Sequence, residues 1–530
     1  MKSVIKWIGI AVAILVALGI IAYVAIYIYD PGSSAGWVKP GIAQEEIPAG
    51  VDTSVAFQNV TVIPMDSARI LEGQTVVIED RHIADIGASG DIDIPANTHV
   101  VDGEGKFLIP GLSDMHIHTS ASENDLLVYL ANGVTTVRDM GSESPVILEW
   151  RDQVRDGARV GPSIWAWWPS IENNQLWDEW GTERASRGGK TWVHTPEEAE
   201  QLVAEMAALG VDGIKAHVVD SSDIYLALLE SASRHSLPFD GHVPEDHTFC
   251  GTGLDCWNDF RKMGVPALAH VEELVKMVEL LDENSRQASD ESIRQIAQDA
   301  ANDGLWVSTS IYLMRSIADQ AADLEGTLAA MPELKYVHPG VFDGMKWGPG
   351  ENYYVAAGSR PWWPEYVAAN EKMLLALSES GALLMSGTDA STPVLVPGFS
   401  LHDELETMAD VGLSPYDVLR TSTYNPALYL GELDEFGTVE AGKRADLVLL
   451  DGNPLQDIAN TRQIAGVMAQ GRYYSRADLD LMLEAVAQDY EATKTTQSVI
   501  EIAFPIVVVL LLAALVWFIL RRRKASQVSS

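Results

Sequence analysis

The chain has little positive charge and almost no cysteine. Of its 530 residues, 36 are Lys or Arg against 75 Asp or Glu, a formal charge of -39. A surface with that field repels phosphate backbones, which excludes nucleic acid as a natural partner. The same acidity suits a well-solvated surface and, more weakly, a saline habitat. The two cysteines, Cys250 and Cys256, sit in FCGTGLDCW, too far apart for a CxxC metal or redox motif. In an oxidising compartment they close a small disulfide; otherwise they are two unrelated thiols. No short internal repeat divides the chain.

Charge is absent altogether from two terminal runs. Between Trp7 and Tyr27 nothing ionises, with Lys2 and Lys6 before and Asp30 after. About 20 apolar residues suffice to cross a bilayer core, and the run lacks an evident small-x-small cleavage site, so it reads as an uncleaved anchor. Ile502 to Leu520 is similar and ends at Arg521, Arg522, Arg523 and Lys524, a stop at the cytoplasmic face. The expectation is a transmembrane helix at each end, both termini cytoplasmic, lipid as a partner, and an extracytoplasmic domain between.

What lies between is patterned. A Gly/Pro/Ser-rich linker covers 30–54. FQNVTVIPM, GQTVVIED, HIADIG and THVVDGEGK are short β-branched runs with turns between them, and the texture returns in GTVEAGKRADLVLLDG and IAGVMAQGRYY. This predicts a small β-sandwich assembled from 55–106 and 431–475. From 107 to 430 short apolar runs alternate with helical stretches such as PEEAEQLVAEMAALG. The strand candidates are FLIPGLSDMHIH, GVTTVRDMG, GPSIWAWW, GVDGIKAHV, LPFDGHVP, PALAHVEE, LWVSTSIY and ALLMSGTDA. Eight such units over roughly 250 to 300 residues match an α/β (β/α)8 TIM-type barrel, whose active site forms at the carboxyl ends of the strands. A helical linker over 476–500 leads to the C-terminal helix and basic tail, 501–530.

Polar residues at those strand ends carry the chemistry. His116 and His118 close the first strand on one face, since side chains repeat every two residues. Lys215 ends the fourth, His242 the fifth, His270 the sixth and Asp389 the eighth. Singly each has a plain explanation: a buried Lys215 with Asp389 as counter-ion, satisfied core histidines, an aspartate capping a helix. Together, six candidate metal ligands at one mouth outweigh those explanations. A neutral lysine amine can add carbon dioxide, giving an anionic carbamate that bridges two divalent metals. His217, two residues past Lys215, faces the rim where a substrate oxygen would lie, and Tyr312 ends the seventh strand as a hydrogen-bond donor. Arg138 and Asp139 read as a structural ion pair. Long insertions after strands three and seven, the latter with Trp347, Trp362 and Trp363, suggest an apolar lid or indoles that merely pack.

PGLSDMHIH, GVTTVRDMG, GIKAH, GHVP, LAHVEE, SGTDA, NPALYLG and GTVEAGKRADLVLLDGNP occur in that order from about Ala56 to Tyr474. In this the sequence resembles the amidohydrolase superfamily, in its branch of prolidase-like and imidazolonepropionase-like hydrolases. The resemblance implies that His116, His118 and Asp389 hold one metal, His242 and His270 a second, and a carboxylated Lys215 joins them, with zinc the usual occupant. It implies hydrolysis of C–N bonds in small substrates, dipeptides first and N-acyl amino acids next, by attack of a hydroxide held between the metals with Asp389 as proton shuttle and catalytic group beside Lys215. Alternatives are a one-metal deaminase, for which HVPE at His242 to Glu245 speaks, a cyclic amide or lactone hydrolase, and a non-catalytic tethered binding protein. Oligomeric state is left open.

Overall fold

In a computed structural model, residues 41–119, 122–142, 145–173, 190–244, 254–278, 280–282, 287–342, 363–496, 513–514 and 516–517 are described. Strands β1 (Val55–Val62), β2 (Leu71–Glu79), β3 (His82–Ala88), β4 (His99–Asp102) and β5 (Phe107–Pro110) open the chain. The central strands are β6 (Leu112–Ile117), β7 (Val134–Asp139), β8 (Ser163–Ala166), β9 (Ser170–Asn173), β10 (Lys190–Trp192), β11 (Ile214–Val219), β12 (Phe239–Gly241) and β13 (Ala267–Leu268). A short hairpin, β14 (Leu280–Asp282) and β15 (Gln287–Ala288), precedes β16 (Trp306–Ser308) and β17 (Leu383–Met385). β18 (Leu447–Leu450), β19 (Ile464–Ala469) and β20 (Arg472–Ser475) follow.

One eight-stranded sheet, ordered β20-β19-β18-β5-β1-β2-β3 with β4 also on β1, draws on both sides of the central region. Its seam is β5 against β18, antiparallel with Ile109 opposite Val448. Alternate residues of these strands, among them Val55, Phe57, Val60 and Leu447, fill a small core of their own.

The central strands are parallel and grouped as β6-β7-β8, β10-β9-β11-β12 and β13-β16-β17. Backbone bonds join the groups at their edges: Asp212 N to Ala166 O at 3.0 Å, Ala269 N to Gly241 O at 2.9 Å, and Met115 N to Ser386 O at 2.8 Å. Amphipathic helices fill the crossovers. Pro196–Leu209 begins where the Thr195 hydroxyl accepts from Glu198 N and stops at left-handed Gly210; Ala199, Val203 and Met206 are its buried stripe. Ser221 and Ser289 cap two later helices in the same way.

Three expectations change. The run FLIPGLSDMHIH is two strands, because at Gly111 a Cβ would lie 2.0 Å from Thr135 Oγ1, and the backbone there passes from one sheet to the other. Tyr312 does not end a strand: β16 stops at Ser308 and Tyr312 is the second residue of the helix Ile311–Ala329. The predicted placement in a membrane is overturned. Among the described residues no helix is long and apolar enough to cross one; helices such as Pro196–Leu209 interleave Glu197, Glu198, Glu200 and Glu205 with their apolar stripe. Trp7–Tyr27 and nearly all of Ile502–Leu520 lie outside the described residues, as do Cys250, Glu245, Trp347 and Trp362. Cys256 is disulfide-bonded, and the sequence holds one other cysteine.

Among the central strands Arg138 is fully buried. Its Nη1 donates to Asp240 Oδ2 at 2.6 Å and its Nε to Met115 O at 2.6 Å, with Trp167 and Tyr429 rings each 5.1 Å from the guanidinium. Asp240→Ala leaves that cation unpaired away from water and is expected to cost about 3–5 kcal/mol. Urea unfolding of the variant checks this.

Candidate active site

The six predicted ligands come together, five of them at or just past the carboxyl ends of the central strands, while Lys215, expected to end its strand, is the second residue of β11. His116 is on β6 and His118 one residue beyond it; Lys215 is on β11, His242 follows β12, His270 follows β13 and Asp389 follows β17. Donor atoms of His116, His118 and Asp389 all lie within 4.8 Å of one another. Asp389 Oδ1 is 3.0 Å from His118 Nε2 and 3.4 Å from His116 Nε2, and Lys215 Nζ is 3.0 Å from His116 Nε2. The His270 ring stacks on His116 at 4.4 Å and meets His242 edge-on at 5.2 Å.

Hydrogen bonds fix which nitrogens face inward. His116 Nδ1 lies 3.1 Å from Ala269 O, which only accepts, so Nδ1–H donates and Nε2 keeps its lone pair beside Lys215. His242 Nδ1 lies 3.2 Å from Glu273 Oε1, which sets the same tautomer. Glu273, fully buried, also accepts from Val243 N at 2.8 Å and Lys276 Nζ at 2.8 Å. Asp389 adopts a left-handed φ of 65°. It is held there by its N–H to His116 O at 2.7 Å, and through Thr388, whose N–H and Oγ1 donate to Asp114 at 3.0 and 2.7 Å.

The electrostatics suit cation binding. Burial pushes His242 and His270 down to about 3, partly opposed by Glu273 and Asp389 respectively. Burial, then the Lys215 charge, holds His116 well below the usual imidazole range. Burial lowers the Lys215 amine to about 8 against the pull of Asp389 and Asp240. Burial would raise Asp389, but the His118 hydrogen bond and the neighbouring His118, His270 and Lys215 win and bring it to about 2. Neutral imidazoles beside an ionised carboxylate are the protonation states a metal ion needs. Among the described residues His270 Nδ1 is moreover a buried nitrogen with no hydrogen-bond partner, an atom that coordination would satisfy. These residues fit a metal centre.

The remaining predictions separate. His217 joins the cluster, its ring 4.8 Å from His242 and its Nδ1 2.8 Å from Glu172 Oε1. Tyr312 does not: its N–H donates to Glu404 at 2.7 Å, and burial plus Asp403, Glu333 and Asp319 push its phenol up. Arg138 pairs with Asp240 and not with Asp139, which instead accepts from Thr119 N, Ser142 N and Ser142 Oγ behind His118. Glu172, Glu273, Asp114 and Thr388 are site residues that the sequence reading passed over. The signal for Glu273 was available, three residues after His270 on a helix; the others depend on strand register.

Residues 365–473 match the model of the Amidohydrolase family. The structure of a Xaa-Pro dipeptidase with methionine bound in its active site superposes with a TM-score of 0.61 at 18% identity, covering 80% of this chain and 100% of that one. Over residues 365–473 the chain is thus similar to the amidohydrolases, and over most of its length it shares their fold. Among curated relatives, an adenine deaminase of Staphylothermus marinus is 26% identical over 220 residues, 39% of this chain. The chain spans 34% of that protein's length, so the match is partial. A 5-methylthioadenosine/S-adenosylhomocysteine deaminase of Caldanaerobacter subterraneus is 21% identical over 434 residues, 76% of this chain and 85% of that one. The amidohydrolase fold here is α/β, and the likeness to the dipeptidase is one of fold.

Two predictions follow from the geometry. At Gly387 a Cβ would sit 2.4 Å from Ser308 Oγ and 2.6 Å from His116 Cβ. Gly387→Ala is expected to displace His116 and cut metal affinity by about 10–100-fold, the range for disturbed support of a ligand; competition against a chelating dye measures it. The depressed imidazole values also set a pH dependence for the chelator-treated chain. His242 and His270 titrate near 3 when folded and near the usual imidazole range, about 6.5, when unfolded. The unfolded state therefore takes up protons first, and stability falls as pH drops from about 6.5 toward 3. Thermal midpoints of the chelator-treated chain should decline steadily across that window.

Proposed function

We propose that this chain is a metal-dependent hydrolase of C–N bonds in small substrates, with dipeptides and N-acyl amino acids as its leading class. The observation that carries the reading is Lys215: 1% exposed, lowered to about 8, with its Nζ 3.0 Å from His116 Nε2 and close to Asp389. A one-metal site has no need of an amine there. As a carbamate, formed when the neutral amine adds carbon dioxide and releases a proton, it becomes an anionic ligand with two oxygens. His116, His118 and Asp389 would hold one divalent ion, His242 and His270 another, with Lys215 shared between them; zinc suits this donor set. Two bound divalent ions would supply Lewis acidity, bringing a water toward a pKa of about 7 and polarising a carbonyl.

The chain's own residues do the rest. Asp389, ionised and hydrogen-bonded to His118 at 3.0 Å, accepts the proton released by the attacking water and passes it to the departing nitrogen. Its left-handed backbone and the Asp114–Thr388 clamp keep that carboxylate in place. One water is consumed, and a carboxylate and an amine leave. In architecture, we take 107–430 as a (β/α)8 barrel and 55–106 with 431–475 as one β unit, followed by a helical segment over 476–500; the edge bonds between strand groups support this.

A second reading, a one-metal deaminase, is favoured by the convergence of His116, His118 and Asp389 and by the names of the curated relatives. The full-length zinc-loaded chain separates the two. The expected result is two metals per chain by mass spectrometry and chelator-sensitive amine release from a dipeptide. Lys215→Ala should fall to one metal and lose about 100-fold or more in turnover, since even supporting residues cost 10–100-fold. One metal in the wild type with ammonia release from an aminopurine would sink the lead reading.

A further inference from the structure

The helix over 476–496, expected as a linker, lies against the body of the protein. Leu479, Met482, Val486 and Tyr490 recur at helical spacing and are buried in the same apolar core as Leu126, Leu127 and Leu130. Those three leucines belong to Asp125–Ala131, the first helix after His118, in which every residue is buried. At one end of that short helix Arg476 Nη1 donates to Ala131 O at 3.5 Å, and at the other Tyr490 OH donates to Asp125 Oδ1 at 3.3 Å. The long helix therefore runs antiparallel along the short one and covers it.

Three consecutive residues at the head of the short helix are each gripped by 41–42 or by 476–496. Glu123 accepts from Gly41 N, and Asp125 accepts from Tyr490 OH. Between them the buried Asn124 accepts from Ile42 N at 2.9 Å through Oδ1 and donates to Asp489 Oδ2 at 3.1 Å through Nδ2. One amide thus joins residues 42 and 489, a task that needs a donor and an acceptor on the same side chain. The Asn124 N–H donates to Ser122 Oγ at 3.2 Å, which ties the clasp back toward His118. Among His116, His118 and Asp389, His118 has the most exposed side chain, 23% against 0% and 11%. Local opening starts where buried contacts are fewest, so this ligand depends most on how its backbone is held.

We infer that Asn124 is a positioning residue for the metal site: by fastening 41–42 and 476–496 to residues 122–125 it holds the backbone that carries His118, and metal affinity depends on the docking of a helix that supplies no ligand. This rests on the reading of His116, His118 and Asp389 as a metal centre. In the full chain, Asn124→Asp sets two carboxylates side by side. Hydrogen exchange of the chelator-treated protein, read by mass spectrometry, should quicken about tenfold or more in peptides from 122–131 and 476–496, as loss of a charge-assisted hydrogen bond provides, and stay unchanged in Pro196–Leu209 and in β1 and β2. Competition against a chelating dye should show zinc held about tenfold more weakly. Adding Asp489→Asn exchanges donor and acceptor and should restore both readings, with the Asp489→Asn single variant completing the cycle. A merely structural lesion would quicken exchange throughout and would not be rescued. If Asn124→Asp fails to fold by circular dichroism, Tyr490→Phe, which removes the bond to Asp125, decides by the same exchange and zinc readings. Unchanged exchange at 122–131, acceleration spread over the whole domain, or zinc affinity that does not follow the exchange overturns the inference. Wild type that takes up no zinc counts against the metal reading, while exchange in the metal-free chain still judges the clasp.

Discussion

Taking an amine out of water and surrounding it with imidazoles is costly, and the site is organised around meeting that cost. An isolated ammonium in a dry interior loses several kcal/mol of hydration that only close partners restore. Lys215 has Asp389 and Asp240 as opposing charges and His116 within 3.0 Å, and it is still lowered to about 8. The same desolvation keeps His116, His242 and His270 neutral, because their protonated forms would share the cavity with Lys215 and with one another. Burial at the strand tips therefore selects the proton states on which the proposed chemistry relies.

Around this centre lies a shell of buried carboxylates, each with a defined task. Asp114 clamps Thr388 and so aims Asp389; Glu273 orients His242; Asp139 gathers the N–H groups of Thr119 and Ser142 behind His118. Glu404, pushed by burial up to about 7, gathers the N–H groups of Ile311 and Tyr312 and the Thr309 hydroxyl. These N–H groups belong to loops and to the first turn of the helix Ile311–Ala329, where no helical partner exists for them, and the carboxylates replace the hydration they would otherwise lose.

The candidate ligands were legible in the sequence because they violate their surroundings. A lysine inside GIKAH and histidines ending apolar runs break a hydrophobic pattern, and parallel strands bring such breaks to one end. Pairings across strands were not legible. Arg138 and Asp139 are adjacent in sequence, yet neighbouring residues of a strand point to opposite faces, so Arg138 finds Asp240 on another strand. Tyr312 was misplaced because LWVSTSIY reads as one strand; left-handed Ser310, with a φ of 43°, and the grip of Glu404 turn the chain into a helix first. The terminal apolar runs carried an expectation that no described helix supports. Glu172 beside His217 required the β9–β11 register, which no local pattern encodes.

The clamp that aims Asp389 joins residues 274 positions apart, Asp114 at the first central strand and Thr388 past the last. On a ribosome adding about 5–20 residues per second, the first histidines emerge roughly 14–55 s before the aspartate that completes their set. Throughout that interval the nascent chain carries an HxH pair with neither its carboxylate nor its closing strand. The candidate metal site of His116, His118 and Asp389 is thereby complete only at the end of translation.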